Sequence, residues 1–504
     1  MINKVFLRIK QILPLIALAF LLRIIFIPQD AVSFHYDMAR DAFEAQQILH
    51  GDLKILGPPT STPSLYHGVL YYYLIAIPYG LGQGDPRIVA IFLSLISSLT
   101  IVPIFLLAKD LFKSIRWAYI SAMLFAVSFE AVQYGPWLSN PSPAILTVAL
   151  FFYGLLLWKK GKVFGLYLAT ASAALSTQFQ FFLIYLFLLL PIFKYLFKIK
   201  TNLRQAGFAL LIALLGLLSF VIATLKFQSL GPAFAGFFNI SVSIQVTFRI
   251  QFTDLILNYV DKMSDLFVNN FFPSNVFLGG LLGVGILYVL RKHPFILFCL
   301  LSNFPIFIFG GHTNTYANIG LVTPAILGIL VLLRNLWKVN YLLPITLLLL
   351  IVVSNVYTIF KVGPRGQVML VIPQDMVLKN QLKLIDKTYQ LASGEQFSIN
   401  TITLPFWINT TWAYLYSWYG FKKYGYVPYY YGRDQIGLLG ADILQKIDKP
   451  LEKSFFIIEP HEGIPVHLFG GEQEVESGKT KLISEESFGS LKLQVRQPLP
   501  KEHE

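Results

Sequence analysis

The sequence predicts a mainly α-helical fold: a polytopic bundle of about eleven transmembrane helices, followed by a small α/β domain outside the membrane. Hydrophobic residues make up 55% of the 504 residues, and the mean hydropathy is +0.61. Up to residue 360, apolar runs of about 17–22 residues recur, and each is long enough to cross roughly 30 Å of hydrocarbon as a helix. Beyond residue 360, Asp, Glu and Lys become frequent and the apolar runs shorten.

The connectors between these spans predict their orientation. Lys and Arg are concentrated in alternate connectors, and the connectors 135–141 and 312–317 contain neither. Since basic loops stay in the cytoplasm, we expect the N-terminus inside the cell and the C-terminal domain outside the plasma membrane. Basic residues precede the first span and no small-residue cleavage site follows it, which predicts a retained anchor. The predicted spans are 9–28, 88–108, 117–134, 142–158, 163–178, 179–197, 205–226, 273–290, 294–311, 318–333 and 339–360.

Two segments decide this count. Residues 65–82 are apolar and contain three consecutive tyrosines. If they crossed the membrane, the basic connectors that follow would lie outside. We therefore expect an interfacial or half-inserted helix there, where tyrosine rings are favoured. Residues 163–197 are interpreted as two short spans that are split at 176–180, because a single tilted helix would reverse the orientation of every later span.

With this orientation, the loops 29–87 and 227–272 share the outer face with the tail. We divide the chain into a transmembrane domain, residues 1–360, and an outer α/β domain, residues 361–504. Periodicity in the tail predicts helices over 374–391 and 406–421 and strands over 454–459, 480–484 and 490–495.

Charge and cysteine content exclude several classes of protein. The net charge of +13 could suggest nucleic-acid binding, but much of the basic charge lies in short connectors and no basic patch is interleaved with aromatic residues. We therefore expect no nucleic-acid partner. Cys299 is the single cysteine and lies in an apolar run. Intramolecular disulfides are excluded, and cysteine-based metal or redox chemistry is disfavoured.

Charged residues cluster in the first outer loop. Five of them, Asp30, Asp37, Arg40, Asp41 and Glu44, fall within fifteen positions of a chain that is 13% charged overall. Residues 36–51 have the pattern of an amphipathic helix at the membrane surface. Asp37 stands where a helix N-cap would stand, which is the structural interpretation of this residue. Arg40 and Asp41 follow at the helical spacings that would set its orientation and charge state.

The sequence around this cluster resembles a known family. The pattern Asp37-x-x-Arg40, then Gly51-Asp52, then Gly57-Pro58-Pro59-Thr60 and Tyr66-His67-Gly68-Val69-Leu70-Tyr71-Tyr72-Tyr73 is similar to the first outer loop of the GT-C integral-membrane glycosyltransferases. The similar branch contains the protein O-mannosyltransferases, the lipid A aminoarabinose transferases and their bacterial relatives. The resemblance continues through residues 108–112 into Trp137-Leu138-Ser139-Asn140-Pro141 and covers about the first 160 residues. Beyond them, only hydropathy, topology and the outer domain agree.

This resemblance implies transfer of a sugar from a polyprenyl-phosphate carrier to a lipid, glycan or protein acceptor on the outer side of the membrane. It implies that Asp37 is the catalytic carboxylate, which would take the proton of the acceptor hydroxyl as a general base. Arg40 and Asp41 are further catalytic candidates. His67 stands where relatives often have Lys or His, which suggests contact with the lipid phosphate. Four more residues are candidates for binding substrate or phosphate: Tyr71, Asn140, Arg249 and His312.

The sequence departs from the family's pattern at three positions. Gly68 stands where relatives often have Pro, Met38 where they often have Glu, and Asn140 near the place where some have an acidic residue. With Asp37 and Asp41 as the one carboxylate pair, no cofactor is expected and a tightly held divalent cation is not expected either.

A structural interpretation competes with each of the other candidates. An Arg such as Arg249 beside a membrane is usually solvated, and His67 could simply cap the helix in 65–82. Glu130 lies near the outer end of its span, where a carboxylate often only reaches water. The rival classes of function are a transporter or flippase and a polymerase of lipid-linked saccharides. The odd number of spans and the absence of visible repeats disfavour a transporter, and the loop 227–272 lacks the charge cluster that a polymerase would need there.

Overall fold

The computed structural model describes residues 2–60, 64–227, 252–310, 315–371 and 373–500. By internal contacts the chain forms two compact units. The first unit comprises Met1–Ile25, Leu53–Leu74 and Ile91–Lys361, and the second comprises Phe26–Asp52, Ile75–Ala90 and Val362–Glu504. The sequence places the whole loop 29–87 with the transmembrane domain, whereas the contacts place most of it with the C-terminal tail.

In its described part the first unit is mainly helical, with a single β-bridge between Pro59 and Tyr66. It contains α-helices Ile2–Ile24, Ile101–Phe112, Ile115–Val127, Phe129–Tyr134, Ala144–Lys159, Val163–Phe179, Tyr185–Leu196, Leu203–Gly216, Leu218–Phe227, Phe252–Phe271, Val276–Leu290, Pro294–Leu300, Phe304–Gly310, Val322–Val339 and Leu342–Val362, and 3₁₀ helices Phe181–Ile184 and Thr315–Asn318. The helices Leu70–Leu81 and Pro86–Leu99 contribute residues to both units.

Among the residues that the structure describes, four segments are long and apolar enough to cross a membrane: Ile12–Gln29, Pro86–Phe112, Val322–Val339 and Leu342–Arg365. Two bent helix pairs would raise the number of candidate spans to six if each pair crossed the membrane as one span. Helices Leu203–Gly216 and Leu218–Phe227 meet at 54°, and Thr253–Phe271 and Val276–Leu290 meet at 106°. Every predicted span overlaps a helix, but several of these helices are short, so the count of eleven spans stays a prediction.

Three segments of the sequence analysis take specific forms. The stretch 163–197 holds two helices with a break at Gln180, which has extended backbone angles, as the split at 176–180 predicts. The segment 65–82 forms a 12-residue helix, Leu70–Leu81, which is too short to cross a bilayer. The later part of the predicted loop 227–272 is the helix Phe252–Phe271, because its apolar residues recur at helical spacing.

Buried amide side chains satisfy the backbone at the helix breaks of the first unit. Asn355 accepts a hydrogen bond from the backbone N–H of Phe129 (2.8 Å) and donates to the carbonyls of Asn270 (3.1 Å) and Phe271 (3.2 Å). Gln178 donates to the carbonyl of Gly216 (2.8 Å) at the bend between two helices. Within hydrocarbon an unsatisfied backbone group costs several kcal/mol, so these amides make the breaks tolerable.

The second unit is an α/β fold around a mixed five-stranded sheet. The strands are β1 (Ser398–Ile402), β2 (Tyr429–Tyr430), β3 (Ser454–Ile458), β4 (Thr480–Phe488) and β5 (Leu491–Pro498), in the order β2-β1-β3-β5-β4. Strand β1 is parallel to β2 and β3, and β5 is antiparallel to β3 and β4.

Four helical segments complete this unit. They are Tyr36–Leu49, which we call the acidic helix; Leu378–Ala392; 410–424, which we call the aromatic helix; and Val466–Ser477. The aromatic helix consists of Thr410–Leu415, a π-helical turn Tyr416–Gly420, and Phe421–Tyr424. Short 3₁₀ helices cover Ile27–Gln29 and Gly363–Arg365. The helices and strands predicted in the tail are present, whereas β1, β2 and Val466–Ser477 are additional.

Backbone pairing joins the start of the loop 29–87 to the tail. Ser33 and Val377 form an antiparallel bridge, and the Phe34 N–H donates to the Met376 carbonyl (2.8 Å). Ser33 also exchanges two hydrogen bonds with Gln367, at 2.9 and 3.0 Å. These bonds explain why residues 26–52 belong to the second unit.

The buried Tyr414 of the aromatic helix connects all three segments of the second unit. Its hydroxyl donates to the carbonyl of Gly84 (2.6 Å). Its ring packs on Phe34, Phe43 and Tyr79, with centroid separations of 5.4, 5.2 and 6.4 Å. Phe43 belongs to the acidic helix, so Tyr414 fixes that helix against both the tail and residues 75–90.

Replacing Tyr414 by Phe should lower the stability of the second unit. The substitution keeps the ring but leaves the buried Gly84 carbonyl without its donor, which costs about 1–3 kcal/mol. Thermal unfolding of the purified protein in detergent measures this loss. Tyr426→Phe is the matched control, because it removes an exposed hydroxyl bond to the Glu395 carbonyl (3.1 Å). Equal melting of Tyr414→Phe and the wild type would contradict the role of this hydroxyl.

The predicted orientation can be tested with single cysteines in a Cys299→Ala background. Residues 135–141 are almost wholly buried and make poor reporters, but Gln83 and Lys162 are exposed. We expect Gln83→Cys to react with an impermeant maleimide on intact cells, and Lys162→Cys to react only after permeabilisation, because 162 lies in a basic connector. The reverse pattern of labelling would overturn the orientation.

Candidate active site

The acidic helix begins two residues earlier than an N-cap at Asp37 requires. The helix starts at Tyr36, and its N-cap residue is His35, whose side chain makes no capping hydrogen bond. Asp37 is therefore the second residue of the first turn, and the N-cap interpretation of it is wrong. A carboxylate in the first turn still interacts favourably with the helix dipole. Because the N-cap position is occupied by His35, the side chain of Asp37 is not needed to cap the helix.

Arg40 joins an exposed carboxylate to a buried one. Its Nη1 donates to Oδ1 of Asp37 (2.7 Å), and its Nε and Nη2 both donate to Oδ1 of Asp41 (2.9 and 2.7 Å). The side chain of Asp37 is 54% exposed and that of Asp41 is 3% exposed. The guanidinium also lies over the ring of Tyr36, 5.8 Å from its centroid. The three predicted catalytic residues therefore form one connected cluster, as their helical spacing predicts.

Burial changes the protonation of the groups around this cluster. Burial raises the pKa of Asp41 to about 7, with Arg40 opposing the shift and Asp37 and Glu44 adding to it. Burial lowers the pKa of His35, so its imidazole is neutral at pH 7. Asp41 thus titrates near neutrality while Arg40 remains charged.

The geometry of Asp37 suits a general base. Arg40 holds one carboxylate oxygen, Oδ1, and among the residues the structure describes none donates a hydrogen bond to Oδ2. An oriented and partly exposed carboxylate of this kind can take a proton from a hydroxyl within hydrogen-bond reach. Because Arg40 is already bound to two carboxylates, its geometry favours orienting Asp37 over binding a phosphate.

His67 lies in the first unit and accepts a hydrogen bond from the protein backbone. Its Nδ1 receives the N–H of Phe181 (3.0 Å), and its own backbone N–H donates to the Pro58 carbonyl (2.8 Å). Only an unprotonated ring nitrogen can accept a hydrogen bond, so in this arrangement the neutral imidazole of His67 carries its proton on Nε2.

Asn140 meets the same helix break as His67. Its Nδ2 donates to the Phe179 carbonyl (2.5 Å) and to Oε1 of Gln180 (2.7 Å), so both amide hydrogens are bound by protein. His67 and Asn140 together satisfy backbone groups on either side of Gln180. Sequence reasoning did not connect these residues, although the pair Gln178 and Gln180 in an apolar run was a signal of polar partners nearby.

A close approach explains Gly68, which stands where relatives often have Pro. A Cβ at this position would lie 2.0 Å from Oε1 and 2.6 Å from Cα of Gln178. Neither Pro nor Ala fits this space. Gln178 in turn holds the Gly216 carbonyl, so Gly68 belongs to the same set of contacts around the helix breaks.

The remaining candidates have separate positions. Tyr71 is buried in the helix Leu70–Leu81 and belongs to the first unit. Glu130, also in the first unit, is buried and accepts a hydrogen bond from Asn270, so it does not simply reach water. Arg249 and His312 lie outside the described residues.

The residues that the structure describes contain no group of three His, Cys, Asp or Glu side chains close enough to hold a metal ion. The pair Asp37 and Asp41 is bridged by Arg40, a cation, at the place where a metal ion would have to bind. The expectation of no tightly held divalent cation remains a prediction.

Comparison with known proteins gives a match by structure alone. No family model and no curated protein matches the sequence. The crystal structure of ArnT from Cupriavidus metallidurans in the apo state superposes with a TM-score of 0.58 at 10% identity, over 96% of this chain and 97% of that chain. ArnT from the same organism bound to undecaprenyl phosphate superposes with a TM-score of 0.55 at 11% identity, over 96% and 98%. At this identity the likeness concerns the fold alone: the chain shares the overall fold of ArnT.

Proposed function

We propose that this protein is a membrane glycosyltransferase that moves a sugar from a polyprenyl-phosphate carrier to an acceptor hydroxyl on the outer side of the membrane. The observation that carries the proposal is the presentation of Asp37, held through one oxygen by Arg40 and open at the other. An overall fold shared with ArnT bound to undecaprenyl phosphate supports a polyprenyl phosphate as the carrier.

Asp37 would act as the general base. The acceptor oxygen attacks the anomeric carbon, and the bond from that carbon to the phosphate oxygen breaks. The hydroxyl proton passes to Oδ2 of Asp37, and the polyprenyl phosphate leaves with the bonding electrons. A base at this position raises the nucleophilicity of the hydroxyl in the transition state, which is worth about 10²–10⁴-fold in rate.

Arg40 and Asp41 would be positioning residues in this scheme. Two donors of Arg40 converge on one oxygen of the buried Asp41, which fixes the plane of the guanidinium. The third donor then fixes Oδ1 of Asp37. Two hydrogen bonds to one buried oxygen restrict the orientation of the guanidinium more strongly than a single hydrogen bond does.

The departing phosphate needs donors or cations to stabilise its charge. His67 would contribute its Nε2–H as a neutral donor. This bond would be charge-assisted through the anionic phosphate, but a neutral imidazole adds no positive charge, so cationic groups would contribute more of the stabilisation. Arg249 and His312 are proposed as further phosphate ligands, and Tyr71 and Asn140 as residues that line the substrate.

Asp37→Asn is the direct test of this function. The side chain is half exposed and does not cap the helix, so the substitution should leave the fold intact while it lowers the rate of sugar transfer by about 10²–10⁴-fold. The measurement is mass spectrometry of surface glycolipids and glycoproteins from cells that express the wild type, the variant or neither. A glycan that appears only with the wild type is the expected result.

Asp52→Asn is the matched control, because Asp52 is an exposed carboxylate just beyond the other end of the acidic helix. Its glycan profile should equal that of the wild type. If the Asp37→Asn cells carried the same product at the same level, Asp37 would not be the base. If no glycan depended on the wild-type protein, the glycosyltransferase proposal would fail. The rival classes, a transporter and a polymerase of lipid-linked saccharides, would then be tested by comparing the carrier lipids of the same cells.

A further inference from the structure

The start of a candidate membrane span fixes the depth of one turn in the second unit. The apolar helical segment Pro86–Phe112 begins at Pro86, directly after the turn 82–85. A span of this length starts near the boundary between hydrocarbon and lipid head groups. Any side chain that contacts the turn 82–85 therefore lies near that boundary.

The aromatic helix is attached to this turn at three points. Tyr414 donates to the Gly84 carbonyl (2.6 Å), and Lys422 donates to Oε1 of Gln83 (3.4 Å). The Trp418 ring lies against Gly84, where a Cβ would come within 3.1 Å of its Cδ1. The end of the aromatic helix is thus held at the level of the span's first residues.

Several side chains exposed at this level are apolar or basic. Phe421 is 57% exposed, Leu81 is 80% exposed and Ile77, one helical turn before Leu81, is 59% exposed. Lys422 is also exposed. Removing such aromatic and aliphatic side chains from water is favourable. Aromatic, aliphatic and Lys side chains together are the usual composition of a segment that rests in the head-group region.

We propose that these four residues, Ile77, Leu81, Phe421 and Lys422, form a lipid-contacting foot of the second unit. Phe421 and the two aliphatic side chains contact acyl chains, and Lys422 contacts lipid phosphates. The bilayer is the favoured occupant because a candidate membrane span begins within a few residues of the foot, at Pro86. The acidic helix shares this support, since its Phe43 packs on Tyr414. The foot therefore holds Asp37 close to the level of the lipid head groups, whichever reaction the protein catalyses.

Fluorescent probes on single cysteines test the foot without reference to activity. In a Cys299→Ala background, Phe421→Cys carries an environment-sensitive probe in the full-length protein, reconstituted in vesicles of phosphatidylcholine and phosphatidylglycerol. We expect blue-shifted emission and a loss of intensity when the lipids carry a quencher high on the acyl chain. Ile483→Cys, an exposed apolar position on strand β4, is the control and should show neither effect.

Two outcomes would overturn the proposal. A probe at 421 that is quenched by aqueous iodide as strongly as the probe at 483 places the foot in water. Blue-shifted emission that lipid-borne quenchers leave unchanged indicates contact with a protein or a second copy instead. If Phe421→Cys does not yield folded protein, Leu81→Cys takes its place with the same expectations. A separate comparison tests Lys422. The blue shift of the probe at 421 should be larger in vesicles that contain phosphatidylglycerol than in phosphatidylcholine alone, because the anionic lipid attracts Lys422. In the Lys422→Gln variant the two kinds of vesicle should give the same shift.

Discussion

The presentation of the candidate base depends on the packing of one side chain, Tyr414. Its ring contacts Phe34 and Phe43, which lie before and within the acidic helix, and its hydroxyl binds the carbonyl of Gly84. Three segments that are far apart in the sequence thereby share one aromatic anchor. A base must be held in place to act on a bound hydroxyl, and loops that enter and leave a membrane are rarely rigid without such a contact. The C-terminal tail therefore supports the segments Phe26–Asp52 and Ile75–Ala90.

A second constraint operates in the first unit, where several helices are broken. Each break frees backbone groups that hydrocarbon cannot satisfy. Asn355, Gln178, Asn140 and His67 supply the missing partners. His67 and Asn140, two of the residues predicted to bind substrate, therefore have a structural role at these breaks. Broken helices with buried polar side chains are also the places where membrane proteins build their binding sites.

Local sequence patterns predicted much of the fold and of the candidate site. The acidic helix, the cluster of Asp37, Arg40 and Asp41, and the break near Gln180 follow from spacing and composition along a few residues. The N-cap assignment failed because the start of a helix depends on backbone angles at His35 that no side-chain pattern reports. The pairing of Ser33 with Val377 also left no signal, since a single bridge between distant residues produces no periodicity. His67 and Phe181 meet for a similar reason, through a contact that only the tertiary fold creates.

Chemical rescue of Asp37→Ala tests the central claim most directly. Removing the carboxylate leaves a half-exposed space beside Arg40 that a small carboxylate such as formate can enter. The rate of sugar transfer by the purified variant should be far below that of the wild type and should rise with formate concentration, while the wild-type rate stays constant. Transfer by Asp37→Ala at the wild-type rate without formate would contradict the assignment of Asp37 as the base.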